Sequence, residues 1–209
     1  MSYAIGVKRL AADNRHDTAA EQALVDQCRR QDFDAFGRIV DAYQARVYGF
    51  VRRMLPNDEE AMDVTQEVFI KAFQAVSRFD GRSSLRTWLF KIAYNLCIDR
   101  SRRYDRTPQM LSMEPNVEGD EPFELSDHTW NPEQAMLTSE FMEVVDQAIA
   151  SMSEKLRTVL LLHDKEDMGY DEIAKTVDVP IGTVKSRLFL ARNHVQNYVS
   201  QYLNNEVAK

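Results

Sequence analysis

The sequence has little of what builds enzymes, membrane anchors or disulfide scaffolds. Its 209 residues hold two cysteines, Cys28 and Cys97, too few for a disulfide framework and too far apart for a metal spacing, which suits a reducing cytoplasm. The longest purely aliphatic stretch is Val159 to Leu162, far short of the ~20 residues that a membrane span needs. Lys8 and Arg9 are followed by no apolar segment of the kind a secretory signal requires. No glycine-rich phosphate loop is present, and no Ser or Cys sits in a recognisable nucleophile setting. The histidines, His16, His128, His163 and His194, stand apart from cysteine and from one another. No enzymatic activity, metal or cofactor is therefore expected. A basic excess is missing too: 26 Lys and Arg against 33 Asp and Glu leave a formal net charge of -7, which as an average argues against a nucleic-acid binder.

That average conceals a division along the chain. Residues 1–20 carry three basic and two acidic groups, and residues 21–103 carry fourteen and twelve. Residues 104–137 hold one basic residue, Arg106, and eight acidic ones, whereas residues 138–209 hold eight and eleven. The third segment alone thus has a charge equal to that of the whole protein. From about Asp105 to Asn131 it also contains Pro108, Pro115 and Pro122 and lacks helical periodicity. Such a composition cannot bury enough apolar surface to offset its ordering entropy. An extended acidic linker is expected over 104–131, separating a unit at 21–103 from one at 132–209, with 1–20 as an N-terminal extension.

Both units show helical spacing and no convincing strand, an all-α fold of two small domains. In the first, a short helix from about Ala20 to Arg29 precedes a long one with Phe33, Phe36, Ile39, Val40, Tyr43, Val47 and Phe50 in one stripe. Pro56, Asn57 and Asp58 break that pattern, and the next helix places Ala61, Val64, Val68, Ala72, Phe73 and Val76 on its buried side. A third long helix opens near Ser83 or Ser84 and buries Leu85, Leu89, Ile92, Ala93 and Leu96. In the second unit Pro132 starts a helix carrying Met136, Phe141, Val144, Val145 and Ile149, and Ser151 to Glu154 fits a capping box for a helix from Glu154 to about His163. Two further helices, Tyr170 to Val177 and Ile181 to about Tyr202, are separated only by Asp178, Val179 and Pro180. A break that tight between amphipathic helices is the helix-turn-helix pattern.

Three faces carry chemistry. The last helix has Lys185, Arg187, Arg192 and His194 and no acidic residue between Asp178 and Glu206. Thr183, Lys185, Ser186 and Arg187 at its start suit a recognition helix in the major groove, against the alternative of a solvated basic face. Asp63, Gln66, Glu67, Ile70 and Gln74 form a stripe opposite the buried side of their helix, either a protein-docking surface or an exposed face with one stray apolar residue. The loop Asp80-Gly-Arg-Ser-Ser84 is rimmed by Arg78, Arg82 and Arg86, and the helix after it interleaves Trp88, Phe90, Lys91, Tyr94 and Asn95 before Arg100, Arg102 and Arg103. Basic residues with aromatics between them suit single-stranded nucleic acid, although Trp88 and Phe90 equally fit a core.

These residues resemble a known family. Asp63-Val-Thr-Gln-Glu-Val-Phe-Ile-Lys-Ala-Phe73, Phe79 with Ser84-Leu-Arg-Thr-Trp-Leu-Phe-Lys-Ile-Ala-Tyr-Asn95, Gly169-Tyr-Asp-Glu-Ile-Ala174 and Gly182-Thr-Val-Lys-Ser-Arg-Leu188 are similar, in order and spacing, to bacterial extracytoplasmic-function sigma factors of the sigma-70 superfamily. The resemblance covers about Glu21 to Tyr202 except the linker. It implies a subunit that binds core RNA polymerase and directs it to promoter DNA, held in check by an anti-sigma factor, with no membrane insertion and no cofactor of its own. It implies polymerase contacts at Asp63, Gln66, Glu67, Phe69 and Ile70. It implies capture of a flipped base and the non-template strand of the minus-ten element by Arg78, Phe79, Asp80, Arg82, Ser83, Ser84, Arg86, Trp88, Lys91, Asn95 and Arg102. The minus-thirty-five element would fall to His163, Tyr170, Thr183, Lys185, Ser186, Arg187, Phe189 and Arg192. Many relatives carry basic residues at or near Leu190 and His163, and the short linker leaves no room for the middle domain of primary sigma factors.

A stand-alone helix-turn-helix regulator remains the alternative, with the first unit as a dimerisation or sensing module. A regulator has no need of the Asp63 to Gln74 face or of the basic aromatic helix. The linker's charge suits the basic nucleic-acid channels of a polymerase. Replacing the eight acidic residues of 104–137 with Ser and Gln is expected to weaken holoenzyme assembly or initial RNA synthesis, measured by reconstituted transcription.

Overall fold

A computed structural model describes residues 17–30, 32–105 and 139–207. The linker, the start of a helix at Pro132 and the contact expected of Met136 lie outside the described residues. Among those described there are eight α-helices and no strand. They are α1 Asp17–Arg29, α2 Phe33–Met54, α3 Asp58–Ala75, α4 Leu85–Asp105, α5 Ser139–Ala150, α6 Glu154–Leu160, α7 Tyr170–Val177 and α8 Ile181–Val207. A 3-10 turn, Val76–Arg78, ends α3, and a π-helical turn, Leu161–Lys165, extends α6. No described helix is long and apolar enough to cross a membrane.

Local chemistry sets the boundaries. Asp32 Oδ1 accepts the Ala35 amide at 3.1 Å and caps α2, and Asn57 Oδ1 accepts the Glu59 amide at 2.8 Å and caps α3. Asp58, Glu59 and Glu60 in the first turn of α3 complement the positive end of its dipole. Ser84 Oγ takes the Thr87 amide at 3.1 Å, which starts α4 where expected. Asp178 stops α7 with a left-handed φ of 55°, and α8 begins three residues later. The capping box expected at Ser151 does not form. The helix nevertheless begins at Glu154 as expected, after Ser153, which makes no side-chain cap, while Ser151 Oγ bonds back to the Ala148 carbonyl at 2.9 Å.

The first unit packs α1 to α4 around Ile39, Val47, Val64, Val68, Leu89 and Phe90, all essentially solvent-free. Phe50 and Phe90 meet edge to face at 5.5 Å, which assigns Phe90 to the core. Ile92 and Leu96 are half-buried. Buried Glu60 is paired with Arg100 at 3.3 Å, tying α3 to α4. Phe73 departs from its expected burial. Ala72 takes the inward position and Phe73 is 42% exposed, its ring against Phe33 and Phe36. Burial pushes the Cys97 thiol up to about 12, so it is not a thiolate near neutral pH.

In the second unit α5, α6 and α7 surround α8, and Ile173, Val184, Leu188 and Ala191 form the helix-turn-helix crossing. Buried apolar residues run continuously from one unit into the other. Arg157 on α6 clamps the seam. Its guanidinium donates to the carbonyls of Ile149, Ala150 and Met152 at the end of α5, and to Arg53 O at 3.2 Å near the end of α2. One cation thus meets the negative ends of two helix dipoles, one from each unit. Arg157→Ala should cost about 2 kcal/mol, seen as a lower urea midpoint of the full chain, because several carbonyls, most of them partly buried, lose a charged donor together.

Candidate nucleic-acid interface

The residues singled out from sequence fall on three faces. On α3, Asp63, Gln66 and Ile70 point outward, Ile70 with 57% of its surface exposed. Met62 and Phe73 extend the same side of the helix, and Phe73 stacks on Phe33 at 5.6 Å. This exposed apolar stripe is broader than the sequence suggested, since Met62, Phe33 and Phe73 were not expected on it. Glu67 is half-buried and lies 3.4 Å from Lys71 and 3.9 Å from Arg100. Phe69 is only 9% exposed. It lies in the core beneath the stripe and is not part of its surface.

The second face begins at the loop after α3. Phe79 is buried with its ring 5.0 Å from Trp88, and its carbonyl accepts from Arg29. Asp80 turns the loop by accepting the Arg82 amide at 3.1 Å and pairing with the Arg82 guanidinium. Gly81 has φ +75°, a conformation that favours glycine, and an added Cβ would meet Gln22 Oε1 at 3.2 Å. Arg78 and Arg82 are exposed, and Ser83 and Ser84 are half-buried. A cavity of about 320 Å³ opens here, lined by Phe79, Gly81, Ser83 and Leu85 of this loop and by Glu172 and Lys175 of α7. Along α4, Lys91, Asn95 and Arg102 are exposed at i, i+4 and i+11 and continue the half-buried Trp88 as one stripe.

Arg86 does not join that stripe. Its side chain is 12% exposed and turns into the seam, where Nη2 meets Glu172 Oε2 at 2.9 Å and Nη1 donates to Glu166 O at 3.0 Å. Glu172 Oε1 also accepts from Ser84 Oγ at 3.0 Å and Thr87 Oγ1 at 2.9 Å. Beside it, Arg46 Nε meets Glu166 Oε2 at 2.9 Å, with Glu166 7% exposed. Sequence reasoning missed Glu166, Glu172, Arg46 and Thr87. They belong to elements of different units, and no local pattern marks such pairs.

The third face is on the helix-turn-helix. The Tyr170 ring lies 5.2 Å from His163, and Lys185 Nζ sits 5.8 Å from its centroid. Arg192 pairs with Asp164 at 2.7 Å, and His163 Nδ1 lies 2.9 Å from the same carboxylate. Lys185, Ser186, Phe189 and Leu190 are exposed and Thr183 is half-buried. Arg187 stands apart, half-buried and close enough to Tyr94 of α4 to influence its ionisation.

Comparison with known proteins agrees with this geometry. A family model described as Sigma-70 region 2 matches residues 39–107, and one described as Sigma-70, region 4 matches residues 142–195. The RNA polymerase sigma-H factor of Pseudomonas aeruginosa is 37% identical over 187 residues, covering 88% of this chain and 95% of that protein. The ECF RNA polymerase sigma-E factor of Escherichia coli K12 is 36% identical over 180 residues, covering 86% and 94%. Two solved structures share the fold at 21% identity. One is CnrH in complex with the cytosolic domain of CnrY (TM-score 0.63, covering 87% of this chain and 98% of that one). The other is RpoE in complex with the anti-sigma factor NepR from Bartonella quintana (TM-score 0.60, covering 79% and 96%). Two sigma regions on one chain define an RNA polymerase sigma factor, a protein of transcription initiation. Within that class the chain belongs to the extracytoplasmic-function group of the sigma-70 family.

The Glu172 carboxyl supplies a pH test. Burial pushes it up, but the Gly169 amide, the Arg86 charge and the Thr87 hydroxyl outweigh burial and hold it below its ordinary value. A carboxyl depressed by folding stabilises above its unfolded pKa and loses that contribution as pH falls through the folded value. The stability lost in Glu172→Gln should therefore shrink between about pH 7 and about pH 3, measured as the difference in urea midpoint from the parent chain.

Proposed function

We propose that this sigma factor divides its contacts between its units: 21–103 meets core polymerase and the minus-ten element, and 132–209 reads the minus-thirty-five element. The outward stripe of α3 suits the polymerase contact, with Asp63, Gln66, Glu67 and Ile70 on the surface and Phe69 supporting them from beneath. Lys91, Asn95 and Arg102 track the non-template strand, Trp88 offers a stacking edge, and the loop of Arg78 to Ser84 receives an unpaired base against its cavity. His163, Tyr170, Thr183, Lys185, Ser186, Phe189 and Arg192 face the minus-thirty-five duplex.

Each unit offers few phosphate contacts, and such modules alone bind only at roughly 10⁻⁴ to 10⁻⁶ M. Tethering both to polymerase turns two weak contacts into one strong one through effective concentration. Melting is driven by trapping unstacked bases, so this chain hydrolyses nothing. The fold shared with RpoE in complex with the anti-sigma factor NepR supports an anti-sigma partner for this chain as well, acting in the cytoplasm.

The observation that carries the reading is an exposed apolar stripe on α3 beside a basic, aromatic face on α4 in the same unit. A stand-alone regulator needs neither. With purified core polymerase the chain should co-elute and support promoter-specific transcription; a chain that does neither overturns the reading. Gln66→Ala with Ile70→Asp should weaken co-elution about tenfold or more. Lys185→Glu should leave co-elution intact and lower promoter-specific transcripts.

A further inference from the structure

We propose that Leu190 reads the C5-methyl group of a thymine in the minus-thirty-five element, adding an apolar readout to the hydrogen-bonding residues of α8. The proposal rests on the minus-thirty-five reading given above and names what one further residue of that face recognises. Val184, Leu188 and Ala191 are buried and fix which side of α8 is covered. At about 100° per residue, the opposite side is centred on Gly182, Ser186 and Asn193, with Phe189 on one flank and Leu190 on the other. That side is open: a Cβ added at Gly182 would meet nothing within 4 Å. Leu190 is 37% exposed there and follows Ser186 at i+4 and Thr183 at i+7, so the three share one stripe. The cations of the proposed minus-thirty-five set fall on the Phe189 flank, Lys185 beside the Tyr170 ring and Arg192 paired with Asp164.

A leucine side chain has neither donor nor acceptor, and the apolar group that base pairs present in the major groove is the thymine methyl. Against any other base edge Leu190 would cover polar atoms and give them no partner, which costs free energy. Against a methyl it buries apolar surface on both sides. Ser186 complements this readout. Its Oγ donates to the Thr183 carbonyl at 3.1 Å, so the hydroxyl turns lone pairs outward and accepts from the amino group of adenine or cytosine. An acceptor alone does not tell those two bases apart, and a methyl-seeking neighbour weights the element toward A·T pairs. The chain rises about 6 Å from Ser186 to Leu190, which places the two contacts within about two base pairs of each other.

The test uses the reconstituted holoenzyme and promoters that it selects from a library with a randomised minus-thirty-five element. Each thymine of the selected element is replaced in turn by deoxyuridine, which removes only the methyl group. At one position the replacement should weaken binding by the parent holoenzyme about fourfold, the effect of one buried methyl, and the same replacement should have no effect with Leu190→Ala. Leu190→Met, which keeps an apolar chain over the groove, should restore the sensitivity. The deoxyuridine effect on the parent holoenzyme is read without any variant, so it does not depend on how a variant folds. No methyl-sensitive thymine, or a sensitivity that persists in Leu190→Ala, overturns the assignment. Lys185→Glu separates the two failures. If it lowers binding to the selected promoters while Leu190→Ala keeps the parent's methyl sensitivity, only the assignment to Leu190 fails; if it binds them like the parent, the minus-thirty-five reading fails and the proposal with it.

Discussion

An arginine withdrawn from water needs counter-charge and acceptors in place, because a buried charge without partners costs several kcal/mol. Arg86 is in that position between α4 and α7, and the Glu172 carboxylate and the Glu166 carbonyl meet its needs from the second unit. This requirement fixes where α7 rests on α4. With α7 placed, Glu172 can serve Gly169 at the head of its own helix, Ser84 and Thr87 at the head of α4, and Arg86 at once. Glu166 follows on the next turn of contact, held by Arg46 of α2. Burial pushes the Glu166 carboxyl up despite the nearby arginines, a sign of how dry this part of the seam is.

Much of this was legible along the chain. Periodicity located the helices, and the left-handed stop at Asp178 followed by Pro180 marked the boundary of α7 and α8 because the signals there are local. The outer side of α3 is legible from an isoleucine among polar residues, yet the same spacing puts Phe73 in the core, where the structure does not. Spacing does not say how wide the buried arc of a helix is: adjacent Leu89 and Phe90 are both solvent-free, and Phe69 is buried beside Val68, whereas at the end of α3 packing buries Ala72 and leaves Phe73 outside. Arg86 looked like one more basic residue rimming a loop, since the partner that buries it lies 86 positions away. Pairing between elements distant in sequence leaves no periodic trace. The acidic run Asp164 to Asp167 offered four carboxyl-bearing or basic neighbours with nothing to show which would be buried.

The arrangement separates tasks that share a small molecule. Met62, Ile70 and Phe73 form an apolar patch on one side of α3, basic residues line α4 and the start of α8, and Arg86 and Glu166 are withdrawn from solvent where the units meet. Family membership explains why these faces coexist; the packing explains why they do not interfere. Phe79 and Phe90 show the economy of the first unit, because aromatic rings beside the basic face of α4 hold the loop and the helix in place.

The π-helical turn after α6 has one residue more per turn than an α-helix would use. Glu166 N reaches back to Leu161 O and Met168 N to Leu162 O, spans longer than the regular ladder. Each residue of a helix advances the phase by about 100°, so the widened turn sets the angle at which the chain leaves toward Glu166. Counting, and not only composition, therefore delivers that carboxylate to Arg46. Removing a single residue between Leu161 and Lys165 would keep the hydrophobic content of the segment almost unchanged while rotating everything after it out of phase with the first unit.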